Sequence, residues 1–158
     1  MVSQSIDFKK HVRWYALANR SGAVLYQTTK NKKFEFVERF ENPNGKLTEG
    51  EFDSDAPGTG ISSAGGHTIH HALDRTFKHH ERDANIFAKR IADALGEAAR
   101  VGRFNELVLV SEPHFLGLLR ASLLPSVREL ISHELNREYA QGSDEQIHHL
   151  ILQAIGAH

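Results

Sequence analysis

The segment that decides the fold is GGHTIHHALDRTFKHHERDANIFAKRIADALGEAAR, residues 65–100. Between His67 and Leu95 it holds neither proline nor glycine, and Ile69, Ala72, Leu73, Phe77, Ala84, Phe87, Ile91, Ala94, Leu95 and Ala98 recur at intervals of three and four. That is the repeat of one helix face, so a long amphipathic helix is predicted, with Gly102 as its stop. His80 falls on the same apolar stripe and is expected to be packed or hydrogen-bonded. In front of the helix lies an irregular stretch, residues 41–66, rich in glycine and carrying Pro43 and Pro57. A loop of that length inside a compact domain is usually functional or disordered.

Working outward, Val12–Asn19 and Ala23–Thr28 are apolar and aromatic runs separated by Arg20-Ser21-Gly22, which reads as two strands and a short turn. Lys33–Phe40 alternates, with Phe34, Phe36 and Phe40 expected on one face of a third strand. Downstream, Leu107-Val108-Leu109-Val110 has the continuous apolar character of a strand buried on both faces. A helix is expected over His114–Leu124, after Pro113. Ile131–Tyr139 fits either a helix or a strand. Ser143 and Gln146 form a capping box for a last helix from about Asp144 to Ile155. This order predicts an α/β fold: a mixed sheet, made of an antiparallel three-strand meander plus two parallel strands, with helices packed on it. Ribonuclease-H-like domains share the order.

The 158 residues are expected to form a single domain spanning 1–158, with the long loop at about 41–66. No cysteine is present, which excludes disulfides, thiolate metal sites and cysteine nucleophiles. The net charge of -1 gives no global field towards nucleic acid, so any basic surface is local. Eleven histidines make the charge balance sensitive to mild acid. No apolar run is long enough to cross a bilayer, and Met1–Arg13 lacks the order of an export signal, so no membrane partner and a cytoplasmic location are expected.

Ser54-Asp55-Ala56-Pro57-Gly58, His71-Ala72, His80-Glu81, Arg103-Phe104-Asn105-Glu106-Leu107-Val108-Leu109-Val110 and Phe115-Leu116-Gly117-Leu118-Leu119-Arg120 together resemble the bacterial "protein required for attachment to host cells" family over nearly the whole chain. Members usually carry arginine where this chain has Ala56, and often aspartate where it has Asn19. More widely, Gly65-Gly66-His67, the basic helix, the Leu-Val-Leu-Val strand and the following helix are similar to the middle domain of archaeo-eukaryotic peptide-chain release factors and Pelota. That resemblance favours a strand at 131–139 and implies a release-factor-like fold and docking on a ribosome or structured RNA. Release factors end this loop in Gly-Gly-Gln, whose glutamine orders the water that attacks the peptidyl-tRNA ester; here His67 stands in its place.

Gly65 and Gly66 permit backbone conformations suited to entering a crowded RNA pocket, and equally mark an ordinary turn. His67 can orient water or act as a general base near neutral pH, or can be a solvated loop histidine. His71, Arg75, Lys78, Arg82 and Lys89, at spacings of four, three, four and seven, fall on one helical stripe adjacent to the apolar one. Such a stripe can follow an RNA backbone through its phosphates, or can be a solvated face balanced by Asp74, Glu81 and Asp93. The histidines show no metalloprotease spacing, and neither a metal nor another cofactor is expected. A nuclease is disfavoured because Val12–Asn19 contains no Asp or Glu. Whether there is a catalytic step, as in peptidyl-tRNA hydrolysis, or only a meeting with a protein partner stays open.

Overall fold

The computed structural model describes residues 11–29, 32–45, 66–138 and 142–156, with the backbone alone over 66–74. Strand β1 (Arg13–Asn19) turns back antiparallel into β2 (Gly22–Thr28), with Asn19 paired to Gly22. The Asn19 side-chain oxygen accepts hydrogen bonds from the backbone N–H groups of Ser21, at 2.8 Å, and Gly22, at 3.0 Å. This is the way a short polar side chain closes a turn. Strand β3 (Phe34–Glu41) pairs antiparallel with β2, and β4 (Glu106–Ser111) and β5 (Ile131–Asn136) add in parallel on the other side of β1. The sheet order is β3-β2-β1-β4-β5, so the meander and the two parallel strands stand as the residue patterns predict. Residues 131–136 are strand, as expected, ending before Tyr139.

The expected alternation of β3 is broken. Tyr26 pairs with Phe36 and Leu25 with Glu38, leaving Val37 as an extra residue in a β-bulge. A one-residue insertion moves every side chain beyond it to the other face. Phe34 therefore packs with Tyr15 and Tyr26, whereas Phe40 packs on the opposite face with Val37. Phe34, Phe36 and Phe40 thus do not share a face, and Phe36 is left 53% exposed.

Helix α1 (Gly66–Arg100) is 35 residues long, about 52 Å at 1.5 Å per residue. Its C-terminal part lays Ala84, Phe87, Ala88, Ile91, Leu95 and Ala98 on the sheet face formed by Trp14, Ala16, Leu25, Leu107 and Leu109. The chain leaves the helix where predicted: Gly102 has φ +79°, the left-handed conformation that costs glycine nothing. Helix α2 (Pro113–Ser122) packs beside α1 and contributes Phe115, Leu116 and Leu119 to the same core. It is shorter than the expected 114–124 and is followed by one turn, α3 (Pro125–Arg128), whose Val127 is buried. Glu112 caps α2, its carboxylate accepting from the N–H groups of His114 and Phe115.

Helix α4 (Asp144–Ile155) has the expected capping box between Ser143 and Gln146 and crosses the other sheet face. There Ile147 and Ile151 cover Leu17, Val24, Val108 and Val110. Strand β4 is therefore buried on both sides, as its unbroken apolar run requires. Among the described residues, no helix is long and apolar enough to cross a membrane. Of the predicted 41–66 loop, Glu41 belongs to β3 and Gly66 to α1, residues 42–45 are described with a helical turn at 43–45, and 46–65 lie outside the described residues.

Candidate functional site

Among the described side chains of α1, core packing begins at Ala84, and Phe77, which the sequence places on the apolar stripe, is 59% exposed. His80 is half-buried and engaged, consistent with its place on that stripe.

Arg75, Lys78, Arg82 and Lys89 are all exposed. At about 100° per residue they fall within roughly 60° of arc, with His71 at the same azimuth. The stripe lies nearly across the helix from Ala84, Ile91, Leu95 and Ala98, not adjacent to the apolar stripe as the spacing alone was read. The reason is the helical repeat: at about 100° per residue the basic positions and these buried ones fall on opposite sides of the helix. Arg90, by contrast, is committed to the fold. It donates to the Glu41 carbonyl at 2.9 Å and lies over the rings of Phe87, at 5.1 Å, and Phe40, at 5.7 Å.

Of the acids expected to balance the stripe, Asp74 has its side chain outside the described residues, Glu81 is engaged elsewhere and Asp93 stands at the stripe's end. The Glu81 carboxylate meets His114 Nε2 at 2.8 Å, Asp83 faces His79 at 3.7 Å, and Glu97 pairs with Arg100. None of Arg75, Lys78, Arg82 and Lys89 forms an ion pair with another described residue. Asp93, exposed on the same azimuth, marks the C-terminal limit of the basic run. Positive charge is thus concentrated over residues 75–89.

Gly66 and His67 stand in the first turn of α1, so the helix takes in two of the three residues of the Gly-Gly-His motif. Gly65 lies outside the described residues, and so do the side chains of His67 and His71. Among the described residues there is no group of three or more His, Asp or Glu side chains that could hold a metal ion.

A second polar cluster sits at the start of the parallel strands. Glu106 accepts from His11 at 2.6 Å and from the Ser132 hydroxyl at 2.5 Å, and pairs with Arg13 Nε at 2.8 Å. Burial acts to raise the Glu106 pKa, but Ser132, Arg13 and His11 together outweigh it and hold the carboxyl below its ordinary value. Burial, and then the charge of Arg13, lower the pKa of His148, whose ring stacks on Phe34 at 4.3 Å. Arg13 spans the two groups, its guanidinium 3.5 Å from the Tyr15 hydroxyl. Neither this cluster nor the Glu81–His114 contact was legible in sequence, because the partners of Glu106 and Glu81 lie 26 to 95 residues away without a motif.

A mixed five-stranded sheet sandwiched between a long basic helix and a short C-terminal one defines an α/β protein whose distinguishing surface is the outer face of α1. The chain belongs to the family described as "protein required for attachment to host cells", whose family model matches residues 14–150. No curated protein matches the sequence.

Proposed function

We propose that this protein docks on structured RNA, with the ribosome as its target, through the outer face of α1. The observation that carries the reading is the run of Arg75, Lys78, Arg82 and Lys89, exposed, within one narrow arc and without acidic partners among the described residues. Cations so arranged can neutralise successive phosphates and read a helical RNA by shape. The sheet order β3-β2-β1-β4-β5 supports a release-factor middle-domain or ribonuclease-H-like topology. The place of Gly66 and His67 in the first turn of α1 supports a role of that end in ribosome rescue. There His67 would orient water at a peptidyl-tRNA ester in the cytoplasm.

The test is co-sedimentation with ribosomes across a salt series, with wild type beside Arg75→Glu/Lys78→Glu/Arg82→Glu. Four phosphate contacts predict a log–log salt slope of about −3 to −4, and the triple variant should neither pellet nor retain a slope. An unchanged profile overturns the reading. Peptidyl-tRNA cleavage by wild type, lost in His67→Ala and kept in His67→Gln, separates hydrolysis from docking alone.

Ile86, 61% exposed among these cations, and Phe77 favour a second reading: a non-catalytic module that meets a protein partner. Neither pelleting nor ester cleavage would leave that module standing.

A further inference from the structure

On the sheet face away from α1, a cavity of about 330 Å³ opens beside α4. Its walls are Leu17, Val110, Leu135 and Ile151, and Arg137, Glu138 and the half-exposed Leu150 stand among its lining residues. Leu17, Val110 and Leu135 lie near the carboxyl ends of β1, β4 and β5. β1, β4 and β5 run parallel, so their carboxyl ends lie together near the cavity, the end of an open α/β sheet at which small ligands bind.

Size and charge narrow the ligand. The volume is at the lower end of the roughly 300–1,000 Å³ of small-molecule sites, the range of a single small metabolite. Arg137 and Glu138 are exposed, carry opposite charge, and form an ion pair neither with each other nor with another described residue. Ala154 brings the last turn of α4 to the cavity, and that turn carries no basic side chain to offset the negative end of the helix. An apolar hole with one cation and two negative features at its edge matches an apolar group bearing both a carboxylate and an ammonium.

We infer that this cavity binds a free amino acid with a large apolar side chain, of the leucine or phenylalanine type. The carboxylate pairs with Arg137, the ammonium lies between Glu138 and the α4 carbonyl end, and the side chain fills the space against Val110 and Ile151. The inference does not depend on the RNA reading, since it concerns the opposite face of the sheet.

The experiment is titration of the full chain with L-leucine and L-phenylalanine, followed by calorimetry and by thermal shift. Glycine, hexanoate and isoamylamine serve as ligands that each lack one of the three features. Saturable binding of leucine or phenylalanine is expected, at least about tenfold tighter than that of the three partial ligands, each deletion removing one contact. Arg137→Ala and Glu138→Ala, both at exposed positions, should each weaken it by about tenfold. Ala154→Leu should abolish it by filling the hole, with helicity checked by circular dichroism. Absence of saturable binding by both amino acids overturns the inference. So does hexanoate binding as tightly as leucine with Glu138→Ala without effect, or leucine binding that survives in folded Ala154→Leu.

Discussion

Nε2 of His114 lies 2.9 Å from Oε1 and 2.8 Å from Oε2 of Glu81, a contact that fastens the first turn of α2 to α1 across 33 residues of chain. It forms one turn before Ala84, where the described core contacts of α1 begin. It also turns the Glu81 carboxylate towards α2. One side-chain contact thereby ties α1 to α2 and engages an acid that neighbours Lys78 and Arg82 in the helix.

Removing the imidazole should therefore act twice. His114→Ala is expected to cost at most about 1 kcal/mol, because both partners are partly solvated. A double-mutant cycle with Glu81→Ala in urea unfolding measures the pair. If the RNA reading holds, His114→Ala also returns a free carboxylate to the stripe and weakens ribosome pelleting at low salt, whereas His114→Ala/Glu81→Gln restores it.

Charge reversal on the stripe should leave the fold intact. Arg75, Lys78 and Arg82 touch nothing on which the core depends, so each Glu variant is expected to stay within about 0.5 kcal/mol of wild type. Thermal unfolding of the triple variant checks this, and a large loss would show that the cations serve stability.

The two phenylalanines of α1 should separate sharply. Phe87 is 2% exposed against Phe115, and its replacement by alanine should cost about 3–5 kcal/mol. Phe77 lies on the same stripe but is 59% exposed, so Phe77→Ala should cost less than about 1 kcal/mol. Equal losses in urea would mean that α1 is covered further towards its N-terminus.

Glu106 sets an acid limit. With its folded pKa below the ordinary carboxylate value of 4.5, its ionised form stabilises the protein fully above that value, and the contribution disappears as pH falls through the lower folded one. Wild type should exceed Glu106→Gln at neutral pH by about 1–3 kcal/mol, the range for a charged hydrogen-bond acceptor, and the gap should narrow as pH falls below the ordinary carboxylate value. Stability curves of the two proteins at a series of pH values provide the check.

His148 sets a milder limit of its own. Its folded pKa lies below the ordinary 6.5, so the unfolded chain takes up the proton first and stability falls as pH drops from about 6.5 towards the folded value. His148→Phe keeps a ring on Phe34 and should flatten stability over this window, as measured by thermal midpoints at pH 7.5 and 5.5. Persistence of the full slope would assign it to another histidine.

Local periodicity and turn chemistry carried most of the architecture. The three-to-four repeat after Gly66, the unbroken run at 107–110 and the Ser143–Gln146 box each specify an element through neighbours close in sequence. The Val37 bulge escaped because an insertion in a ladder is defined by the partner strand, and β3 alone does not show which residue β2 leaves unpaired. Phe77 escaped for a related reason: periodicity reveals which face of a helix is apolar, but not how far along its length a sheet lies beneath it.

By itself the sequence determined the element order, the length of α1 and the clustering of cations on one side of it, because all of these follow from helical and strand repeats along a single chain. Only the tertiary structure decided that the apolar side of α1 lies on the sheet and that Glu81 and Asp83 are engaged elsewhere. It alone brought Glu81 to His114, Glu106 to Arg13, and Arg137 and Glu138 to the edge of an apolar cavity. Such contacts depend on distances between residues far apart in the chain, which packing fixes and no local pattern encodes.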